Sequence, residues 1–121
     1  YHIFMGDATG GWHFYHTKRP GSIMNVTRGP NPSGVYEANV QIKIDGVFGD
    51  VKQSAFFPDH WDEEEVLEAI NRAYRDKKLV GPSQNPNNDL YEAEVRGVKI
   101  EMYIERTSNK LVTAFPSSKN F

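Results

Sequence analysis

Between Val35 and Ile44 the chain alternates, with Tyr36, Ala38, Val40, Ile42 and Ile44 on one side and Glu37, Asn39, Gln41 and Lys43 on the other. A period of two is the pattern of a strand with one buried face. Asp45-Gly46 closes the run, a pair suited to a tight reversal of the chain. In "FFPDHWDEEEVLEAINRAYRDKK" the period changes, and Val66, Leu67, Ile70, Ala73 and Tyr74 form a helical stripe. Asp62 is placed to cap that helix, with Glu65 at the capping-box position; acidic residues lead and Lys77 and Lys78 trail, as the helix dipole favours. These signals predict one helix over about Asp62 to Lys78.

Beyond it, "VGPSQNPNND" has no apolar period and reads as a loop. "LYEAEV", "VKIEMYIE" and "KLVTAF" are short alternating segments separated by Arg96-Gly97 and Ser108-Asn109, the pattern of an antiparallel meander. Upstream, "RPGS" and "RGPNPSG" are turn-forming clusters, so the first third of the chain is expected to be mostly loop. The expected fold class is α+β: one main helix on a curved antiparallel sheet, in a single domain over residues 1–121. Phe56, Phe57, Pro58 and Trp61 stand directly before the capped helix, a position that favours core packing over a platform for stacking bases. The acidic run at 62–65 is explained by the helix terminus it occupies.

Composition narrows the possibilities. With 121 residues, 38% of them hydrophobic, there is room for one modest core and not for a second domain. The absence of cysteine removes disulfides and thiolate metal sites, so a metal would need His, Asp or Glu. No apolar run approaches the roughly 20 residues of a membrane span, and the first residues lack the basic and apolar regions of a secretory leader. The start at Tyr1 reads as a piece of something longer. A net charge of −2 argues against nucleic-acid binding by bulk charge, but residues 1–34 hold Lys18, Arg19 and Arg28 against Asp7 alone.

That basic part contains His2, His13 and His16, three of the four histidines, within "YHIFMGDATGGWHFYH". Paired histidines suit RNA cleavage by the ribose 2′-OH. A base takes that proton, an acid protonates the departing 5′-oxygen, and imidazole titrates near neutrality and can do either. A lysine and backbone N–H groups would stabilise the charged phosphorane, and glycines let the backbone approach it. The competing use is a metal site built from His2, His13, His16 and Asp7. Lys18 and Arg19 beside the histidines are candidates for RNA phosphate contacts or for a solvated loop.

The order "HIFMGD…GWH", "VKQSAFFPDHWDEEEVLEAI" and "LVTAFP" resembles the EndoU ribonucleases. The similarity is to their bacterial branch in particular, used as C-terminal toxin domains of contact-dependent growth inhibition and other polymorphic toxins. It runs from His2 to Pro116 and implies an antiparallel sheet with a helix, a barnase-like and EndoU-like ribonuclease fold. It also implies His2 and His13 as the catalytic pair, Lys52 as the catalytic lysine before "SAFF", and Thr113 and Phe115 as substrate contacts. Phe115 departs from the tyrosine common at that position, which keeps a stacking face and loses a phenolic hydrogen bond.

The resemblance further implies an endoribonuclease that leaves a 2′,3′-cyclic phosphate without metal or other cofactor. An RNA, tRNA first, is the expected substrate, and a cognate immunity protein the expected partner. Delivery would be as part of a larger secreted or cell-surface toxin, with action in the cytoplasm of a target bacterium and no membrane binding by this domain itself. The alternative from another class is a noncatalytic module that binds RNA or a protein through the basic histidine-rich loop.

Overall fold

A computed structural model describes His13 and residues 21–121. The backbone divides into two compact units, residues 1–60 with Phe121, and residues 61–120. Both consist of antiparallel strands, and the described residues contain a single α-helix, so the chain is α+β.

In the first unit β1 (Ile23–Arg28), β2 (Tyr36–Gln41) and β5 (Lys52–Phe56) form a three-stranded antiparallel sheet with β2 in the centre. The period-two residues do what their spacing requires: Tyr36, Ala38, Val40 and Ile42 are buried with Phe56, and Met24 packs partly against them. Tyr36 and Phe56 face each other across the sheet with rings stacked at 5.2 Å. Burying each such side chain is worth about 1.5–3 kcal/mol. The fifth alternating residue, Ile44, lies outside this core at 38% exposed, because the strand breaks after Gln41. A small hairpin of β3 (Lys43–Ile44) and β4 (Val47–Phe48) follows, turned by Asp45 at φ 52° and Gly46 at φ 78° as the sequence anticipated.

The expectation of loop over the first third fails at β1. Asn25 and Thr27 interrupt its apolar pattern, and Ile23 and Val26 are exposed, so no buried face marks it in the sequence; its ladder with β2 makes it a strand. Arg28, counted with the basic residues, makes an ion pair with the buried Glu37 (Nε to Oε1, 3.0 Å) and lies 4.7 Å over the Phe121 ring.

In the second unit the helix α1 runs Glu63–Arg75. Asp62 accepts from the Glu65 N–H at 2.7 Å and Glu65 accepts from the Asp62 N–H at 3.2 Å, completing the expected capping box. Val66, Ala69, Ile70 and Ala73 are buried and pack on β7 (Asn88–Val95) and β8 (Val98–Glu105). The helix stops three residues before Lys78. Asp76 closes it through its N–H to the Arg72 carbonyl at 3.0 Å, and Lys77 Nζ donates to the Tyr74 carbonyl at 3.1 Å.

Lys78 instead opens β6 (Lys78–Pro82), which the sequence presented as loop. Pro82 is tolerated because β6 is an edge strand, and a register shift between Leu79 and Gly81 absorbs the irregular backbone. The meander completes with β9 (Leu111–Pro116), in the order β6-β7-β8-β9. Arg96 (φ 54°) and Gly97 (φ 77°) form the β7–β8 turn, and Asn109 (φ 60°) lies in the β8–β9 turn. Phe56, Phe57, Pro58 and Trp61 are all buried in their respective units, as their position predicted.

Candidate active site

Strand β5 is an edge of the described sheet, so the main-chain groups on its outer side need partners from elsewhere. His13 supplies two. Its carbonyl accepts from the Phe57 N–H at 2.9 Å, and its imidazole Nδ1 lies 2.9 Å from the Ala55 carbonyl oxygen. The ring is 8% exposed, and Ser54 Oγ lies 3.0 Å from the same Nδ1.

This geometry selects a tautomer. A carbonyl oxygen only accepts, so the hydrogen sits on Nδ1, and Ser54 Oγ shares it as a second acceptor. In the neutral ring the lone pair is then on Nε2. Nδ1 thereby anchors the ring to β5. The anchoring by Ser54 and the Ala55 carbonyl was not legible in the sequence. Both contacts span more than forty residues, and one is to main chain.

Lys52 lies on β5 two residues before Ser54, hence on the same face, with Cα atoms about 7 Å apart. It is exposed, while Ser54 is buried at 4%. No hydrogen bond or ion pair holds the Lys52 ammonium among the described residues. One strand therefore carries an anchored imidazole and, one same-face step along, a cation with a long flexible stem. His2, Lys18 and Arg19 lie outside the described residues, as do His16 and Asp7 of the alternative metal set. His60 is exposed, and its ring sits against Gly34, where a Cβ would come within 3.0 Å of it.

In the second unit Thr113 and Phe115 stand on β9 facing away from α1, since the intervening Ala114 pairs with the core residue Met102. Thr113 pairs with Tyr103 across the sheet, and the Tyr103 and Phe115 rings meet at 5.6 Å, tilted by 44°. Thr113 is 9% exposed, and its Oγ1 is enclosed without a hydrogen-bond partner among the described residues. A hydroxyl left so costs about 1–3 kcal/mol, which a purely structural position would shed by holding valine. Phe115 is half-buried and offers an aromatic edge beside it.

Two comparisons bear on this arrangement. The sequence profile described as "Bacterial EndoU nuclease" matches residues 1–118. A protein of Bacillus cereus named "Toxin" is 31% identical over 119 residues, covering 94% of this chain and 20% of its own length. The chain thus spans about one fifth of that relative. No solved structure matches significantly.

Proposed function

As this chain belongs to the bacterial EndoU nuclease family, we propose that residues 1–121 form a single endoribonuclease domain of a toxin. It cuts RNA by attack of the ribose 2′-OH on the adjacent phosphate. The products are a 2′,3′-cyclic phosphate and a 5′-hydroxyl, and no metal takes part. The observation that carries this reading is the imidazole of His13, tied to β5 through Nδ1 with the cation of Lys52 on the same strand face.

In the reaction His13 and His2 form the base and acid pair, with His13 Nε2 taking the 2′-OH proton and His2 protonating the departing 5′-oxygen. Lys52 neutralises the charge that gathers on the phosphorane. Thr113 and Phe115 contact the nucleotide beside the scissile bond, Phe115 by stacking, and Lys18 and Arg19 hold flanking phosphates. Likeness to a relative named as a toxin supports a toxin role; the proposal extends this to delivery, as a domain of a larger protein of the contact-dependent or another polymorphic class, into the cytoplasm of a target bacterium. tRNA is the first substrate to test. A producing cell then needs an immunity protein, and an acidic surface on it facing Lys18, Arg19 or Lys52 would speed association.

The test is to incubate the purified domain with tRNA and with mixed RNA in EDTA, and to identify the new 3′ ends. Cyclic phosphate ends, lost when a 2′-deoxy nucleotide replaces the one at the cleavage site, are the expected result. Cleavage that appears only on adding Mn²⁺ or Zn²⁺ would contradict the metal-free mechanism. Binding of RNA without cleavage under either condition would favour the noncatalytic module.

A further inference from the structure

Beside the Thr113 and Phe115 patch, on the same unit, a cleft of about 220 Å³ is lined by Ser83, Gln84, Asn85, Asn88 and Tyr103. Its position follows from strand register. Tyr103 on β8 stands between Thr113 on β9 and Leu90 on β7, and Asn88 is the next residue of β7 on that face. Tyr103 is therefore a wall of the cleft and a neighbour of both proposed substrate contacts.

The lining sorts into side chains that are spent and side chains that are not. Ser83 Oγ lies 2.8 Å from the Asn85 carbonyl oxygen and 2.9 Å from that of Asn88, and Asn85 Oδ1 accepts from the Asn87 N–H at 2.9 Å. These bonds fix the β6–β7 loop. The carboxamides of Gln84 and Asn88 make no hydrogen bond among the described residues, although Asn88 is only 9% exposed. Although Asn88 is nearly buried as a residue, its carboxamide atoms are not enclosed and open into the cleft, where they are available to a ligand.

The chemistry of the cleft restricts that ligand. Among the described residues its lining has no lysine, arginine or carboxylate, so it suits a neutral ligand better than a phosphate. Its volume falls below the roughly 300–1,000 Å³ of sites for drug-sized molecules, which leaves one small planar group. Two carboxamides supply paired donors and acceptors, and a phenol ring supplies a stacking face, the combination that reads an unstacked base of single-stranded RNA. A larger cleft of about 490 Å³, lined among others by Lys78, Glu92, Lys99 and Lys119, differs in kind because its charges answer one another, as in the Lys119 to Glu92 pair at 3.1 Å.

The geometry points to a nucleobase subsite formed by Gln84, Asn88 and Tyr103, which takes the base of a nucleotide flanking the one at Thr113 and Phe115. It rests on the nuclease assignment above and gives that nuclease a sequence preference one nucleotide beyond the scissile bond.

The test has two arms. In the first, side-chain carboxamide signals of Gln84 and Asn88 are followed by NMR while an uncleavable 2′-deoxy oligonucleotide is added, with each of the four bases in turn at the flanking position. The subsite requires both signals to move, and to move most for one base; signals that stay in place at saturation overturn it. In the second, kcat/KM is measured on RNA with each flanking base for the wild type, Gln84→Ala and Asn88→Ala. The expected result is loss of roughly tenfold on the favoured base, as removal of a bidentate contact implies, with cleavage of a dinucleotide lacking that base unchanged. Because Gln84 is exposed and its side chain supports nothing in the fold, its variant separates recognition from folding. An unchanged base preference in an active enzyme overturns the subsite and leaves the nuclease assignment standing. A wild type that cleaves no RNA removes the nuclease assignment, and the carboxamide shifts then decide the subsite alone.

Discussion

Two polar clusters, one in each unit, differ in how their groups are satisfied. On the edge of β5 the His13 Nδ1 has two acceptors, at 2.9 Å and 3.0 Å, and the His13 carbonyl has its donor. On the face of the four-stranded sheet away from α1, among the described residues, the Thr113 hydroxyl is enclosed without a partner and the Asn88 carboxamide opens into a cleft without one. A group that moves a proton must be held in one orientation and one tautomer before substrate arrives, because misorientation is lost rate. Groups that recognise a ligand gain by being left unsatisfied, because their bonds then form only with the right partner. The proposed function gives chemistry to the first region and recognition to the second, and each substitution below tests one side of that proposal.

The largest effect is expected at the anchored imidazole. His13→Ala should lower kcat by about 10³-fold, within the 10²–10⁴ range of a general base or acid. With wild type the rate should trace a bell against pH around neutrality, and one limb should vanish in the variant. A full bell in His13→Ala would mean that the titrating pair lies elsewhere.

Next comes Lys52. As an exposed cation without an ion pair among the described residues, it contributes little to the fold. Lys52→Ala should cost about 10²-fold in kcat, the scale for loss of one charge-stabilising group, while the unfolding midpoint stays within a degree or two. A matching loss of stability would make the lysine structural.

Thr113→Val sharpens the contrast because activity and stability should move in opposite directions. Replacing an enclosed, unpartnered hydroxyl by a methyl group removes a burial penalty of about 1 kcal/mol or more, so thermal stability should rise. If Thr113 contacts the nucleotide as proposed, activity should fall roughly tenfold through KM. A fall in both would show that the hydroxyl serves the fold.

The smallest effect is expected at Ser54. Ser54→Ala leaves the Ala55 carbonyl on Nδ1 and removes only the second acceptor, so a few-fold loss in kcat and a shift of one limb of the pH profile are expected. Ser54→Thr keeps the oxygen and should restore the profile. Equal loss in both variants, with an unmoved profile, would reduce Ser54 to packing.

Local signals were legible wherever a few adjacent residues decide the outcome. Asp62 and Glu65 marked the helix start, and Asp45-Gly46 and Arg96-Gly97 marked hairpins, because caps and tight turns are set within four residues. The sequence left β5 unmarked, and likewise β1 and β6, two edge strands. Ile23, Val26, Leu79 and Val80 are exposed, so β1 and β6 bury no face that could leave a period, and they exist because a neighbour pairs with them. The site shows the same division. His13 could be proposed from residue type and Lys52 and Thr113 from the family resemblance, whereas the placement of Ser54 and Asn88 depends on which strand edge or loop they meet across the fold.

What most directly tests the assignment of chemistry to His13 is the position of its proton. Long-range ¹H–¹⁵N correlation of the His13 ring, recorded in the wild-type domain above its titration, distinguishes the two neutral tautomers. The hydrogen should be found on Nδ1, held by Ala55 and Ser54, with Nε2 carrying the lone pair. A hydrogen on Nε2, or a ring exchanging freely between the two forms, would contradict an imidazole fixed by β5 for proton transfer.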